Sequence, residues 1–434
     1  MYQYYINNNN EDNKPVAIVL GGTVPHRGLV ETLKNRGYYT IVIDYFKNPP
    51  AAKLADVHYC ESAMDYDVVL NIAKENNAEL VLSSCLDQQM NIAMHVAETL
   101  QLPHPFSPEK AIEVTNKKVM KKIMIEHNIP TAKYYAIDKN SDLKGINLKY
   151  PAIVKPVDNS GSAGVIKVET PDELQDAVKE SLTLSRSGNL VVEEFIDGTE
   201  MSTHGFAING KIHLLFGTCR ITAVEGDLYQ QLCNVYLVDI KPAIKKKIED
   251  IINKLIDIFE LPPDTPMFTQ VIVRDEEVFV VEFSPRLGGG ISSYVSKECA
   301  DFDLLNYSID SYLGIHKDRG TGILNKYVCC CPIHCGEGIF NSVTGADELI
   351  KEGIAKKYFI LKSKGDHIDK KKPSSSLVMK YVVEGDTPEE CYQKMKVSNN
   401  RTDILDLNNN SIRDYTFTLT EKLFYDKLNL ITNF

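Results

Sequence analysis

The sequence predicts a protein of α/β and α+β class with several domains, and three observations support that prediction. The chain has 434 residues, which is too long for one ordinary hydrophobic core. Short apolar runs alternate with helical patterns over the first hundred residues, the pattern becomes strand-rich from Tyr150, and strands mix with helices after about residue 325. These changes predict an N-terminal α/β domain over residues 1–110, a middle domain over 111–325 and a C-terminal subdomain over 326–434.

The N-terminal domain is predicted to contain a parallel sheet covered by helices. Strand patterns at residues 15–22, 39–44 and 78–84 alternate with helical patterns at 27–37, 66–77 and 88–102. A nicotinamide dinucleotide fold is the obvious alternative for this alternation. However, GGTVPHRG is not the GxGxxG fingerprint, and Asp44 at the end of the second strand is weak support by itself.

The middle domain opens with helices and continues with strands. Ser107 in SPEK is a typical helix cap with Pro108 in the first turn, and residues 116–130 form an amphipathic pattern whose lysines fit a solvated face. Strands follow in PAIVKP, VIKVE and LVVEEF, then a hairpin that turns at Asn209 and Gly210. Residues 243–259 read as a helix and 266–284 as a strand pair, with a smaller subdomain at about 130–200.

Charge and composition narrow the functional classes. The formal charge of −11 argues against broad binding to nucleic acid or to anionic membranes, and no apolar run approaches a membrane span. The polar, Asn-rich start lacks the apolar core of a signal peptide, so a cytoplasmic protein with reduced thiols is expected. The cluster YVCCCPIHC suggests a metal site, but no second CxxC partner is evident and adjacent strand residues face opposite ways, which favours structural burial.

Two segments of the middle domain carry residues suited to a nucleotide. Lys155 ends an apolar strand, where its ammonium is costly to bury unless an anion meets it. The following loop, DNSGSAGV, can lay backbone N–H groups and hydroxyls over phosphate oxygens, although such a loop is also typical of a flexible hairpin turn. In LVVEEFIDGTE, backbone groups at residues 194–196 are placed to pair with a purine edge, and Glu200 is placed to accept from ribose hydroxyls.

The stretch VFVVEFSPRLGGG supplies the residues suited to a metal. A three-residue turn over residues 275–277 predicts that Gln270 lies opposite Glu282, with Ser284 one step along the same face. Oxygen-bearing side chains in that arrangement suit a magnesium ion that bridges phosphates. Arg286 adds a fixed charge and the glycines let backbone N–H groups approach an anion. The alternative is a buried strand with a salt-bridged glutamate and a flexible turn.

Together these segments resemble the ATP-grasp carboxylate–amine ligases over nearly the whole chain, including the C-terminal lid. The resemblance implies ATP as a substrate with magnesium, or manganese in its place. It implies phosphate contacts from Lys117 and Lys155, and less securely from Arg220, with Arg286 stabilising an acyl phosphate. The loop implied to cover the phosphates consists of Ser160, Gly161, Ser162, Ala163 and Gly164. The implied adenine hinge consists of Glu193, Glu194, Phe195 and Ile196, and Glu200 is implied to bind the ribose. The implied metal ligands are Glu282, Gln270 and Ser284.

Two departures from the family pattern bear on the metal. The family usually has Glu at the position of Gln270 and Asn at the position of Ser284, so a second metal is expected to bind weakly.

The loop RLGGGIS resembles that of amino-acid ligases, which makes a small amino acid or similar carboxylate the first choice of substrate, to be joined to an amine. A phosphoribosyl substrate of purine biosynthesis and a non-catalytic nucleotide-binding module are the alternatives, and the resemblance is compatible with a homodimer. GGTVPHRG and Asp87 face the site in such folds, where they either read part of the substrate or serve as a turn and a helix cap.

Overall fold

The computed structural model describes residues 4–7, 10, 13–158, 164–225, 228–370, 373–416 and 418–432. The strands in these ranges are β1 Tyr4–Asn7, β2 Val16–Leu20, β3 Tyr39–Ile43, β4 Val57–Tyr59, β5 Ala78–Leu82, β6 Tyr134–Asp138, β7 Ala152–Pro156, β8 Ile166–Val168, β9 Asn189–Glu194, β10 Thr199–Ile208, β11 Lys211–Glu225, β12 Leu228–Leu237, β13 Thr265–Arg274, β14 Glu277–Ser284, β15 Tyr327–His334, β16 Gly338–Thr344, β17 Lys357–Ile360, β18 His367–Ile368, β19 Leu377–Gly385 and β20 Asp403–Asp406. The helices are α1 Val24–Asn35, α2 Tyr66–Glu75, α3 Asp87–Leu100, α4 Pro108–Thr115, α5 Lys117–Glu126, α6 Leu174–Leu184, α7 Pro242–Ile258, α8 Ser292–Tyr294, α9 Leu304–Tyr312, α10 Ala346–Lys351, α11 Pro373–Ser376, α12 Pro388–Arg401 and α13 Glu421–Leu428. Short 3-10 turns lie at Leu143–Gly145 and Pro171–Glu173, and a π-helical turn at Val295–Cys299.

The N-terminal sheet has the order β1-β4-β3-β2-β5. The pairs β2–β3, β2–β5 and β3–β4 are parallel, which confirms the predicted parallel sheet, and every residue of β2 and β3 is buried. Helices cover such a sheet on both faces, so its strands read as continuous apolar runs rather than as an alternating pattern. The edge strand β1 pairs antiparallel with β4 and was not predicted, because its four residues lie within a polar, Asn-rich start.

A second, smaller sheet holds the predicted nucleotide segments. It is antiparallel, with the order β6-β9-β7-β8, and α6 packs against it. Its apolar residues form a small hydrophobic core that is separate from the main core. The small core includes Val154, Val192, Leu174 and Val178. A separate core lets this subdomain open or close with its own free energy.

The largest sheet runs through the rest of the chain. Its eight strands follow the order β14-β13-β10-β11-β12-β15-β19-β17, so strands from the C-terminal region continue the sheet of the middle domain. A further sheet of β18, β16 and β20 lies within the C-terminal region. The domain boundaries at residues 110 and 325 stay predictions.

The β13–β14 hairpin differs from the prediction in its turn but keeps the predicted pair. The turn has two residues, Asp275 and Glu276, with φ of +49° and +62°, and not three. A register shift after Gln270 adds one residue to β14, so Gln270 still lies opposite Glu282. The bulge therefore compensates for the shorter turn. Helix α5 also ends earlier than predicted, at Glu126.

Candidate functional site

One face of the large sheet presents the polar residues that the sequence singled out. Gln270 on β13 donates from Nε2 to Oε1 of Glu200 on β10, at 2.5 Å. Arg220 on β11 lies 3.8 Å from the same carboxylate oxygen, measured from Nη1. Arg220 and Glu200 are each more than a third exposed, so their charges are open to a ligand. Because the amide nitrogen of Gln270 donates to Glu200, the amide oxygen of Gln270 is the atom left to bind a cation.

At the end of the same hairpin, Glu282 pairs with a helix-borne lysine. Lys117 is the first residue of α5, and Asn116 caps that helix by accepting from two backbone N–H groups. The Lys117 ammonium lies 3.2 Å from Oε2 of Glu282, and both side chains remain partly exposed. A cation bound by Glu282 therefore competes with Lys117 for this carboxylate.

Arg286 forms a bidentate ion pair with Asp87 at the start of α3. Its Nε and Nη2 donate to the two carboxylate oxygens at 2.5 and 2.9 Å, and Nη1 donates to the Leu287 carbonyl. Burial raises the pKa of Asp87, but the Arg286 guanidinium outweighs burial and the net direction is downward. Burial lowers the pKa of Arg286, but the Asp87 carboxylate raises it by more than burial lowers it. The guanidinium therefore stays charged. The N-terminal domain thus holds Arg286 in one orientation, as a planar fork on a carboxylate.

These two ion pairs line one small cavity. The cavity has a volume of about 10 Å³ and is bounded by Asp87, Lys117, Glu282, Ser284 and Arg286 together with apolar residues. Ser284 is buried, and it acts with Arg286 to lower the pKa of Asp87. The structure therefore brings Glu282 and Ser284 together, whereas Gln270 lies toward Glu200.

The small sheet and α5 together contribute a buried charge triad. The Glu193 carboxylate accepts from Lys155 through one oxygen and lies 2.8 Å from the Lys121 ammonium through the other. All three side chains are at least nine-tenths buried. Burial raises the pKa of Glu193, yet the two ammonium groups outweigh burial and set it to about 2. Burial lowers the pKa of Lys121 more than the carboxylate raises it. One carboxylate shared by two ammonium groups leaves a net positive charge, which suits phosphate oxygens.

This triad changes the interpretation of two sequence features. Glu193 was assigned to the adenine hinge, but its side chain lies among the lysines of the interior. A solvated face was one interpretation of the α5 lysines, yet Lys121 is 1% exposed. Sequence reasoning missed Lys121, because nothing in KKVMKKIMIE distinguishes it from the exposed Lys122.

The other predicted hinge residues border a separate cavity of about 480 Å³. Glu194, Phe195 and Ile196 lie in its wall, and the Lys167 ammonium sits 4.5 Å from the centre of the Phe195 ring. The N–H groups of Glu194 and Phe195 already donate to the carbonyls of Lys133 and Pro151. Within the described residues this leaves the Ile196 N–H as the hinge donor for a ligand.

The glycine-rich loop lies mostly outside the described residues. This applies to Ser160, Gly161, Ser162 and Ala163. Gly164 is described, with φ of +76°, and a Cβ there would lie 2.9 Å from Cγ of Pro156. Both the positive φ and the close approach require glycine at the end of this loop.

Asp44 and the cysteine cluster have structural partners. The two oxygens of Asp44 accept from the backbone N–H groups of Gly22 and Phe46, so they hold the loop after β2.

The sulfur of Cys331 lies 3.4 Å from the Cys233 sulfur and 3.0 Å from the Met395 sulfur. None of the ten cysteines is in a disulfide, and the part of the chain that the structure describes contains no group of three or more metal-ligating side chains. No helix in the described ranges is both long and apolar enough to cross a membrane.

Comparison with known proteins identifies the class. Residues 148–294 match the model of the ATP-grasp domain. The formate-dependent phosphoribosylglycinamide formyltransferase of Prochlorococcus marinus (strain NATL2A) is 24% identical over 279 residues, which cover 62% of this chain and 70% of the relative. The L-amino acid ligase of Bacillus licheniformis superposes with a TM-score of 0.76 at 20% identity, over 91% of this chain and 99% of that one. Phosphoribosylglycinamide synthetase of Anaerococcus prevotii gives 0.71 at 20% identity, over 90% and 99%.

Residues 148–294 therefore match an ATP-grasp domain, and the chain has the fold of ATP-grasp enzymes, as the sequence resemblance implied. The ATP-grasp ligases of this fold form C–N bonds, produce ADP and use ATP and magnesium. The donor set fits that metal: magnesium is usually held by one or two carboxylates plus substrate phosphates, and Glu282 supplies one carboxylate.

Proposed function

We propose that this protein joins a small carboxylic acid to an amine through an acyl phosphate. The observation that supports this most directly is the convergence of Glu282, Lys117, Arg286 and Asp87 on one cavity. A carboxylate oxygen of the acid attacks the γ-phosphorus of ATP, and ADP leaves. The amine nitrogen then attacks the acyl carbon, phosphate leaves with the acyl C–O electron pair, and the amine loses a proton.

The residues act by alignment and charge neutralisation, because no covalent enzyme nucleophile is needed. Lys117, Lys155 and Arg220 hold the ATP phosphates, and Arg286 neutralises the acyl phosphate. Asp87 already orients the Arg286 side chain, so Arg286 loses no rotamer freedom when the acyl phosphate forms. Magnesium, when bound, neutralises phosphate oxygens.

The remaining assignments complete the nucleotide site. The loop Ser160–Gly164 covers the phosphates and excludes water that would hydrolyse the acyl phosphate. Residues 194–196 hold the adenine, with Glu193 acting through its two lysines rather than on the base. Glu200 holds the ribose. Glu282 holds magnesium with Gln270 and Ser284, of which Ser284 already lines the same cavity.

For the acid, an amino acid or a similar small carboxylate is the first choice. The fold of an L-amino acid ligase, which this chain matches over 91% of its length, supports it. A phosphoribosyl substrate is the second choice, and the names of the phosphoribosylglycinamide enzymes support that one. A protein that binds nucleotide without turnover is the third choice. We also propose that the chain forms a homodimer.

A substrate screen tests these choices. The purified chain is incubated with ATP, magnesium and single acids in hydroxylamine, which traps an acyl phosphate as a hydroxamate, while ADP release is followed in parallel. We expect hydroxamate and ADP with a narrow set of acids. ATP binding with no ADP across a broad panel of acids and amines would favour the binding module instead.

Glu282→Gln tests the metal assignment. Loss of the carboxylate should lower ADP release at least a hundredfold with little change in fold, since one lost electrostatic contact at a reacting centre typically costs about 10²–10³ in rate. Glu277→Gln is the matched control, because Glu277 lies on the same strand but is exposed. Equal activity of the two variants would remove Glu282 from the site.

A further inference from the structure

The buried carboxylate of Glu193 is shared unequally by its two lysines. The Lys155 ammonium donates to Oε1 of Glu193, and this is its only hydrogen-bond partner among the residues that the structure describes. The Lys121 ammonium lies 2.8 Å from Oε2 of Glu193 and also donates to Oγ1 of Thr131, at 2.9 Å. Lys121 is therefore held by two partners on different elements, whereas Lys155 depends on the shared carboxylate.

The second partner of Lys121 is attached to the large sheet. The Thr131 hydroxyl donates to the Val280 carbonyl of β14 at 2.7 Å, and the backbone N–H of Val280 donates to the Pro130 carbonyl. Lys121 itself lies in α5, four residues after Lys117, so the two lysines share one face of that helix. The position of Lys121 is thus set by α5 and β14, outside the small sheet.

Lys155 lies where the small sheet leads into the glycine-rich loop. It is followed by Pro156, the last residue of β7, and it is 5% exposed. Its ammonium has one charge, which Glu193 already neutralises in the structure. To neutralise phosphate oxygens, Lys155 has to turn away from Glu193. A carboxylate left without a counter-charge in so buried a site would carry a large free-energy cost.

Lys121 lowers that cost because the triad contains one ammonium group more than it has carboxylates. When Lys155 turns to a phosphate, Glu193 and Lys121 remain as a neutral, hydrogen-bonded pair. The titration of Lys121 agrees with this exchange. Burial lowers the pKa of Lys121, Glu193 raises it and the Lys155 ammonium lowers it again, so the departure of Lys155 stabilises the charged form of Lys121.

We propose that Lys121 is a positioning residue, which holds the Glu193 carboxylate so that Lys155 is free to turn from that carboxylate to the ATP phosphates. This role rests on the proposed function, since it takes Lys155 as a contact of the phosphates. Lys121 itself contacts no part of ATP and acts only through Glu193. Without Lys121, Glu193 and Lys155 form a matched pair, which favours the folded subdomain and opposes the binding of ATP.

Titration of the full chain with ATP and magnesium, without any acid or amine, tests this role. Lys121→Met should weaken ATP binding about tenfold or more, because Lys155 then leaves a buried carboxylate unpaired when it turns to the phosphates. Amide-exchange protection of β7 and β9 should be unchanged or higher in the same variant, since the matched Glu193–Lys155 pair remains. Lower protection or unchanged ATP affinity in Lys121→Met would overturn the proposal, because a purely structural lysine behaves in that way.

A double-mutant cycle shows whether Lys121 acts through Glu193. In a Glu193→Gln background no carboxylate is left to hold, so adding Lys121→Met should weaken ATP binding less than about twofold. Equal weakening in both backgrounds would mean that Lys121 contacts the phosphates itself, which refutes the positioning role. Lys122→Met is the matched control, because Lys122 is the next residue of α5 and its side chain is 71% exposed. This control should bind ATP as the wild type does.

Lys155→Met distinguishes failure of this role from failure of the proposed nucleotide site. Weakened ATP binding in Lys155→Met with wild-type affinity in Lys121→Met refutes the role of Lys121 alone. Wild-type affinity in Lys155→Met, or no binding of ATP by the wild type, refutes the phosphate contact and the role of Lys121 with it. The titrations contain no acid or amine, so a chain that binds ATP without ligase activity still gives the expected result.

Discussion

The buried triad of Lys121, Glu193 and Lys155 is the feature whose removal has the most calculable effect. Glu193→Gln keeps the shape of the side chain and removes the carboxylate that both ammonium groups share. The two lysines, which are 1% and 5% exposed, are then left without the carboxylate that balances their charge. Breaking a buried ion pair on one side typically costs about 3–5 kcal/mol.

The pKa of Glu193 gives an independent magnitude. It falls from 4.5 to about 2 on folding, because the lysines outweigh burial. At 1.36 kcal/mol per pH unit, that difference stabilises the folded state by about 3 kcal/mol at neutral pH. Since the folded pKa is the lower one, this stabilisation is fully present above pH 4.5 and is lost as the pH falls toward 2.

Hydrogen exchange of the amides in β7 and β9 is the suitable assay, because the small sheet has its own core and a chain of this length does not unfold in one step. We expect Glu193→Gln to lower the opening free energy of these strands by about 3 kcal/mol at pH 7. The difference from wild type should shrink as the pH falls from 5 toward 2.5.

Glu194→Gln is the matched control. Glu194 is the next residue of β9 and forms no ion pair in the described structure, so its loss should change the opening free energy by less than about 0.5 kcal/mol. Equal protection in the two variants, or a pH-independent deficit in Glu193→Gln, would refute the counter-charge argument.

Two further predictions concern Arg286 and the glycines that follow it. Asp87→Asn should lower the rate of ADP release at least tenfold and change the KM for ATP by less than threefold, because Asp87 is proposed to orient Arg286 and not to contact ATP. An unchanged rate would remove this positioning role. Gly288→Ala would place a Cβ 2.3 Å from Cε1 of the buried His204 and should cost about 1–3 kcal/mol in chemical denaturation, whereas Gly289→Ala meets no atom within 4 Å and should cost much less. Equal stability of the two alanine variants would contradict the close packing.

Local sequence patterns predicted much of the fold because they act through short-range forces. Ser107 caps α4 and Asn209–Gly210 turns the β10–β11 hairpin as expected, since both features depend on a few neighbouring backbone groups. The pairing of Gln270 with Glu282 was also predicted. It holds for a different reason, because a shorter turn and a bulge cancel in the register.

The amino-acid sequence by itself determined the order of the strands and helices. It also determined which residue types are available to bind a phosphate and a metal. Only the tertiary structure decided which of those residues meet. Asp87 and Arg286 are 199 residues apart and Lys121 and Glu193 are 72 apart, and no periodicity records a contact of that kind. The physical reason is that buried charges are set by desolvation and by partners across the core. The same lysine pattern that suits a solvated helix face in α5 therefore hid a buried ammonium.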